Sequence, residues 1–195
     1  GEGLSAAGDS RQYDRDGYKN FMLRLSQAFG SVRVGAFGYR GEESADQVIS
    51  HMHVVGPDAT IDFGDRAQVN LQAYRRWDDD PFLGACSATA PCPSGFTQPT
   101  STRVDAAMGE LLFFPKGQAG RWTVAGLWNW IDASAPVVSL RLGEQGTTPG
   151  FLRRYQEGGI ALHYLLRRNL RLMGEGSWDF VNDQAHVLTG VTLAF

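Results

Sequence analysis

No apolar run in this sequence approaches the ~18–20 residues that a membrane-spanning helix requires, although 43% of its residues are hydrophobic. A basic excess is also missing. Against 21 acidic residues stand 18 Lys and Arg, a net charge of −3, which argues against a nucleic-acid binder. Cysteine is scarce: Cys86 and Cys92 are the two, and with no CxxCH motif the chain has no c-type haem attachment of its own. Neither a Gly-x-Ser-x-Gly elbow nor a phosphate-binding glycine loop occurs, and no Ser or Asp/His pair stands out, so no catalytic residue is assigned and the chain is not expected to be an enzyme. His51-x-His53 places two imidazoles on one strand face, a two-ligand start without an identifiable third. No metal and no cofactor are expected.

Glycine and alternation are what the sequence does have. Glycine fills 24 of 195 positions, well above the usual ~7%; strands and tight turns use it where helices tolerate it poorly. The mean hydropathy of −0.25 suits a strand with one apolar and one polar face as well as it suits a soluble protein. In the last segment Val187, Thr189, Val191, Leu193 and Phe195 share one face, and His186, Leu188, Gly190, Thr192 and Ala194 the other. Before it, Leu170, Leu172, Trp178 and Phe180 oppose Arg171, Met173, Glu175, Ser177 and Asp179.

The same period of two recurs upstream. Residues 1–19 read as a loop. Strands are predicted over 20–29, 32–39, 50–63, 67–77, 103–114, from 122, 155–166, 170–180 and 185–195. Pro57 sits inside the third and predicts a bulge or irregular pairing there. The connections are unequal: short near 30, 64–66, 115–120 and 167–169, longer over 40–49, 78–102 and 132–153. This alternation of short turns and long loops is typical of outer-membrane barrels, and the hairpin at 181–184 is its one short exception.

The fold expected is therefore all-β, an antiparallel transmembrane β-barrel. Nine strands counted back from residue 195 leave an odd number, whereas single-chain bacterial barrels have even ones. The expectation is that residues 1–195 form the C-terminal part of one larger, even-stranded barrel domain, with 1–19 in an extracellular loop and 20–195 carrying the strands. A miscounted strand is the rival explanation. The polar opening, Gly1 to Ser10, shows no export signal, so either it was removed or the sequence starts part-way through a longer protein.

Three segments together resemble the C-terminal half of Gram-negative porin-like proteins: Gly56-Pro-Asp-Ala-Thr-Ile-Asp-Phe-Gly-Asp-Arg66, Gly109-Glu-Leu-Leu-Phe-Phe-Pro-Lys116 with the Trp-rich strand that follows, and Tyr164-Leu-Leu-Arg-Arg-Asn-Leu-Arg-Leu172 running on to Phe195. A terminal aromatic on an alternating strand resembles the closing strand of such barrels, where it is an assembly signal; the likeness gives Phe195 that role. It implies a bacterial outer-membrane location and a porin-like channel for passive diffusion of small polar solutes or ions. The alternatives are a structural barrel that sheathes or anchors a partner such as an exported multihaem cytochrome, and a soluble β-sandwich binding module. Outer-membrane lipid is the expected surrounding, and by family analogy a homo-oligomer.

Residue by residue, the inward candidates are Arg24, Arg33, Asp58, Asp62, Gln68, Asn70, Gln72, Glu110, Asn129, Glu157, His163, Arg171, Glu175 and Asp179, with His186. Mixed charges lining a lumen set up a field that sorts solutes by size and sign; the bland reading is that they pair and plug a narrow barrel. Trp77, Trp122, Trp128, Trp130, Tyr155, Trp178 and Phe180 are the candidates for aromatic girdles at the membrane interfaces. Cys86 and Cys92 lie in a Pro/Ser/Thr/Gly-rich loop, where a disulfide closing a short ring is favoured over two free thiols and implies an oxidising compartment.

Overall fold

Side-chain alternation fixes the face of every strand, because a strand turns successive Cβ atoms to opposite sides. The computed structural model describes residues 20–45, 48–79, 101–135 and 153–193. They form β1 (Phe21–Phe29), β2 (Val32–Ala45), β3 (Val48–Phe63), β4 (Ala67–Asp78), β5 (Thr102–Phe113), β6 (Trp122–Ala133), β7 (Arg154–Arg167), β8 (Leu170–Asp179) and β9 (Gln184–Leu193). The nine run in sequence order through a single sheet, each antiparallel to the next. No helix occurs among the described residues. A soluble sandwich would need a second sheet packed on the first, and the described strands form one layer.

The predicted strands appear at their predicted places, with one extension. Residues 40–49, expected as a loop, are mostly strand: β2 and β3 stay paired up to Ala45 opposite Val48. Their polar sequence carries no apolar alternation, yet backbone pairing does not need one. The connection there is therefore short, and the long ones are those after β4 and β6. Cys86, Cys92, Phe195 and residues 1–19 lie outside the described residues.

Pro57 interrupts one ladder and spares the other. β2 pairs with β3 straight through it, Ala36 opposite Pro57. On the other side the β3–β4 ladder skips Gly56 and Pro57 between Val55–Arg75 and Asp58–Gln72, and resumes in the same register. The irregular pairing expected at this proline is thus a local gap, as its missing N–H demands. Beside it the backbones close up: a Cβ on Gly56 would lie 2.0 Å from the Ala73 carbonyl oxygen, so only glycine fits.

The sheet has no ordinary core. Among the described residues the buried apolar side chains are Ala106, Ala133 and Tyr155. Large apolar residues instead stand exposed in rows, with Val187 at 82% and Ile160 at 65% of full exposure. An apolar surface this extensive marks a protein or membrane contact rather than a water-facing wall.

Candidate functional site: the polar face of the sheet

Directly opposed residues in an antiparallel pair share a face, so the registers trace each face across all nine strands. One continuous row runs Gly35, Asp58, Gln72, Met108, Asn129, Glu157, Asp179, Gln184. The next runs Arg33, Thr60, Asn70, Glu110, Leu127, Gly159, Ser177, His186. A third holds Asp62, Gln68, Leu112, Ala125, Ala161, Glu175 and Leu188. His163 opposite Met173, and Arg171 opposite Leu165, continue the same face toward the turn at 168–169. Arg24, opposite Phe37, completes it at β1. Every polar candidate read from the sequence falls on this one face.

Hydrogen bonds tie the rows sideways. Thr60 Oγ1 donates to Asn70 Oδ1 at 3.0 Å, and Asn70 Nδ2 donates to Glu110 Oε2 at 2.7 Å, a chain across three strands. Gln68 Nε2 donates to Asp62 Oδ1 at 2.8 Å. Arg24 forms a two-point ion pair with Asp58, Nη2–Oδ1 at 2.5 Å and Nε–Oδ2 at 3.1 Å. It reaches two strands over, crossing β2 at Gly35, where an added Cβ would stand 2.8 Å from the Asp58 carboxylate.

At the ends of the strands the polar face becomes structural. Asp179, 4% exposed, closes the β8–β9 turn: it accepts from the backbone N–H groups of Val181 at 2.8 Å and Asn182 at 3.0 Å, and from Asn182 Nδ2 at 2.7 Å. The Tyr155 hydroxyl donates to Glu157. Arg76 holds Asp78 in a two-point pair, at 2.6 and 3.0 Å. Thr60, Arg76 and Tyr155 were not among the inward candidates. Strand parity would have added all three.

The opposite face is apolar over most of its height. Its rows read Val34, Ala59, Leu71, Gly109, Trp128, Gly158, Trp178 and then Val32, Ile61, Val69, Leu111, Gly126, Ile160, Gly176, Val187. Toward the ends that carry the longer connections it turns charged, with Arg75 on Asp105 at 2.5 Å and Arg154 on Asp132 at 2.8 Å. His51 and His53 also belong to this face, His51 Nδ1 3.5 Å from Glu42 Oε1.

The aromatic residues gather at two levels of the apolar face. Trp122 and Tyr164 meet at the short-turn end, ring centroids 4.4 Å apart. Trp77, Trp128, Trp130, Trp178 and Phe180 lie toward the other end, and the Phe180 ring covers Gly158. Eight residues separate Trp122 from Trp130, about 27 Å along the strand. Tyr155 corrects the expectation: it opposes Ile131 on the polar face, because its odd position on β7 matches Glu157 and not Ile160.

No protein-family profile matches the chain, and no curated protein does. One solved structure does match: a porin refined at 1.8 Å resolution, at 17% identity and a TM-score of 0.61, over 94% of this chain and 54% of that one. The chain thus spans about half the length of the porin it matches. At this identity the likeness concerns the fold, and it agrees with the sheet and its two contrasting faces: the chain has the fold of a porin-like β-barrel protein.

Proposed function

We propose that the chain is part of a bacterial outer-membrane channel through which small polar solutes or ions diffuse passively. The observation that carries this reading is the division of the sheet. Charged and amide side chains share one face across β1–β8, while an apolar band bounded by tryptophans occupies the other. A lipid-facing band of about 25 Å between aromatic girdles, backed by a polar interior, is the design of a water-filled transmembrane barrel. Trp122 and Tyr164 then sit at one interface, and Trp77, Trp130 and Trp178 at the other.

Planar-bilayer recording of the full-length, detergent-extracted protein tests this. Stable conductance steps are expected. A protein that inserts and remains silent would contradict an open channel and direct attention to what fills the lumen.

A further inference from the structure

Charge is not balanced on the polar face. Two of its arginines are neutralised at short range, Arg24 by Asp58 and Arg76 by Asp78. The other guanidiniums on this face are Arg33 and Arg171 on the described strands and Arg121 just before β6, which borders a recess with Glu110 and Arg171, and none of the three is in an ion pair with a described residue. Against them stand Asp62, Glu110, Glu157 and Glu175, whose face is the same. Where these four have hydrogen-bond partners, the partners are neutral: Gln68 for Asp62, Asn70 for Glu110, Tyr155 for Glu157. Such donors orient a carboxylate without cancelling its charge. Asp179, fixed by its turn, adds one more negative group.

The charges are unevenly placed. Arg33 and Arg171 each lie one residue from the short-turn end of their strand, where Asp62 and Glu110 also lie, while Glu157 and Asp179 lie near the opposite ends of β7 and β8 with no strand arginine beside them on this face. Glu157 and Asp179 face each other directly, an arrangement of like charges that is unfavourable by itself and is relieved by any mobile cation between them. Together with Glu175 they border a recess of about 380 Å³ on the polar face, which also includes Ser177 and His186.

We infer that this wall makes the channel prefer cations to anions, with Glu110, Glu157 and Glu175 as the residues that set the preference. The inference rests on the channel reading above and adds the sign of the solute. Charged side chains lining a pore raise the local concentration of counter-ions and exclude co-ions, over a range of about 10 Å at 0.1 M salt and about 3 Å at 1 M.

The test is the reversal potential of the full-length protein in a planar bilayer under a KCl gradient. Potassium is expected to permeate better than chloride at low salt, with the preference fading toward 1 M. Replacing Glu110, Glu157 and Glu175 by Gln one at a time should lower the permeability ratio by roughly twofold each, the effect of one charge acting across about 8 Å of water. Arg33→Gln should raise it, which guards against a loss caused by poor folding. A conducting protein that prefers chloride, or whose ratio ignores all four changes, would overturn the charge inference alone. A silent bilayer would contradict the channel reading, and this inference with it.

Discussion

Arg24 on β1 and Asp58 on β3 meet diagonally across β2, and they meet because residue 35 between them has no side chain. A pair spanning three strands couples the pairing of β1 to that of β3. Placing Leu at position 35 should drive the Asp58 carboxylate off the guanidinium and leave β1 held by its backbone ladder alone. In full-length protein the folded band on a heat-modifiability gel should then disappear at a lower temperature. Gly35→Leu combined with Asp58→Ala removes the clash and should recover part of the loss; no recovery would mean that the glycine serves another purpose.

Gly56 is a harder constraint, because what an added Cβ would strike is backbone, the Ala73 carbonyl. Gly56→Ala is expected to cost about 3 kcal/mol or more, in the range reserved for strained backbone and broken ladders. Gly174, where a Cβ would have nothing within 4 Å, is the control, and Gly174→Ala should stay within about 1 kcal/mol. Urea unfolding from lipid vesicles compares the two. Equal effects would remove the argument for close approach of β3 to β4.

Asp179 holds the β8–β9 turn through two backbone amides and one side-chain amide. Asp179→Ala should cost about 1 kcal/mol, the usual loss when a capping carboxylate is removed, and Asp179→Asn should retain part of it. Proteolysis of the 180–183 turn in folded protein is the direct readout. An unchanged cleavage rate in the alanine variant would show that the turn stands without its cap.

How much of this was legible follows from the period of two. With Glu110 on the polar side, parity fixes the face of every other residue along β5, and the same holds on every strand whose faces differ in polarity. It fails where they do not. Residues 40–47 carry no large apolar side chain on either side, so the continued pairing of β2 and β3 leaves no mark in the sequence. Tyr155 has the aromatic character of a girdle residue, although its spacing from Glu157 places it on the polar face. The Arg24–Asp58 pair and the gap at Gly56–Pro57 depend on register, a relation between strands that no single segment encodes.

The two faces of β4 predict opposite responses to the same substitution. Leu71 lies in the apolar band and Gln72 on the polar face. Leu71→Arg should destabilise the inserted barrel by roughly 2–4 kcal/mol, as a charge near the middle of the lipid does. Gln72→Arg should leave stability nearly unchanged and shift ion preference toward anions. Vesicle unfolding and reversal potentials measure the two effects separately.

Those neighbouring residues also give the most direct test of which side of the sheet meets water. With Cys86, Cys92 and any cysteine outside residues 1–195 replaced by Ser in the full-length protein, single cysteines are placed at 71 and at 72, and intact membranes are treated with a membrane-impermeant maleimide. A polar lumen and a lipid-facing band require Gln72→Cys to label and Leu71→Cys to remain protected. Labelling of Leu71→Cys with protection of Gln72→Cys, or equal labelling of both, would contradict the account.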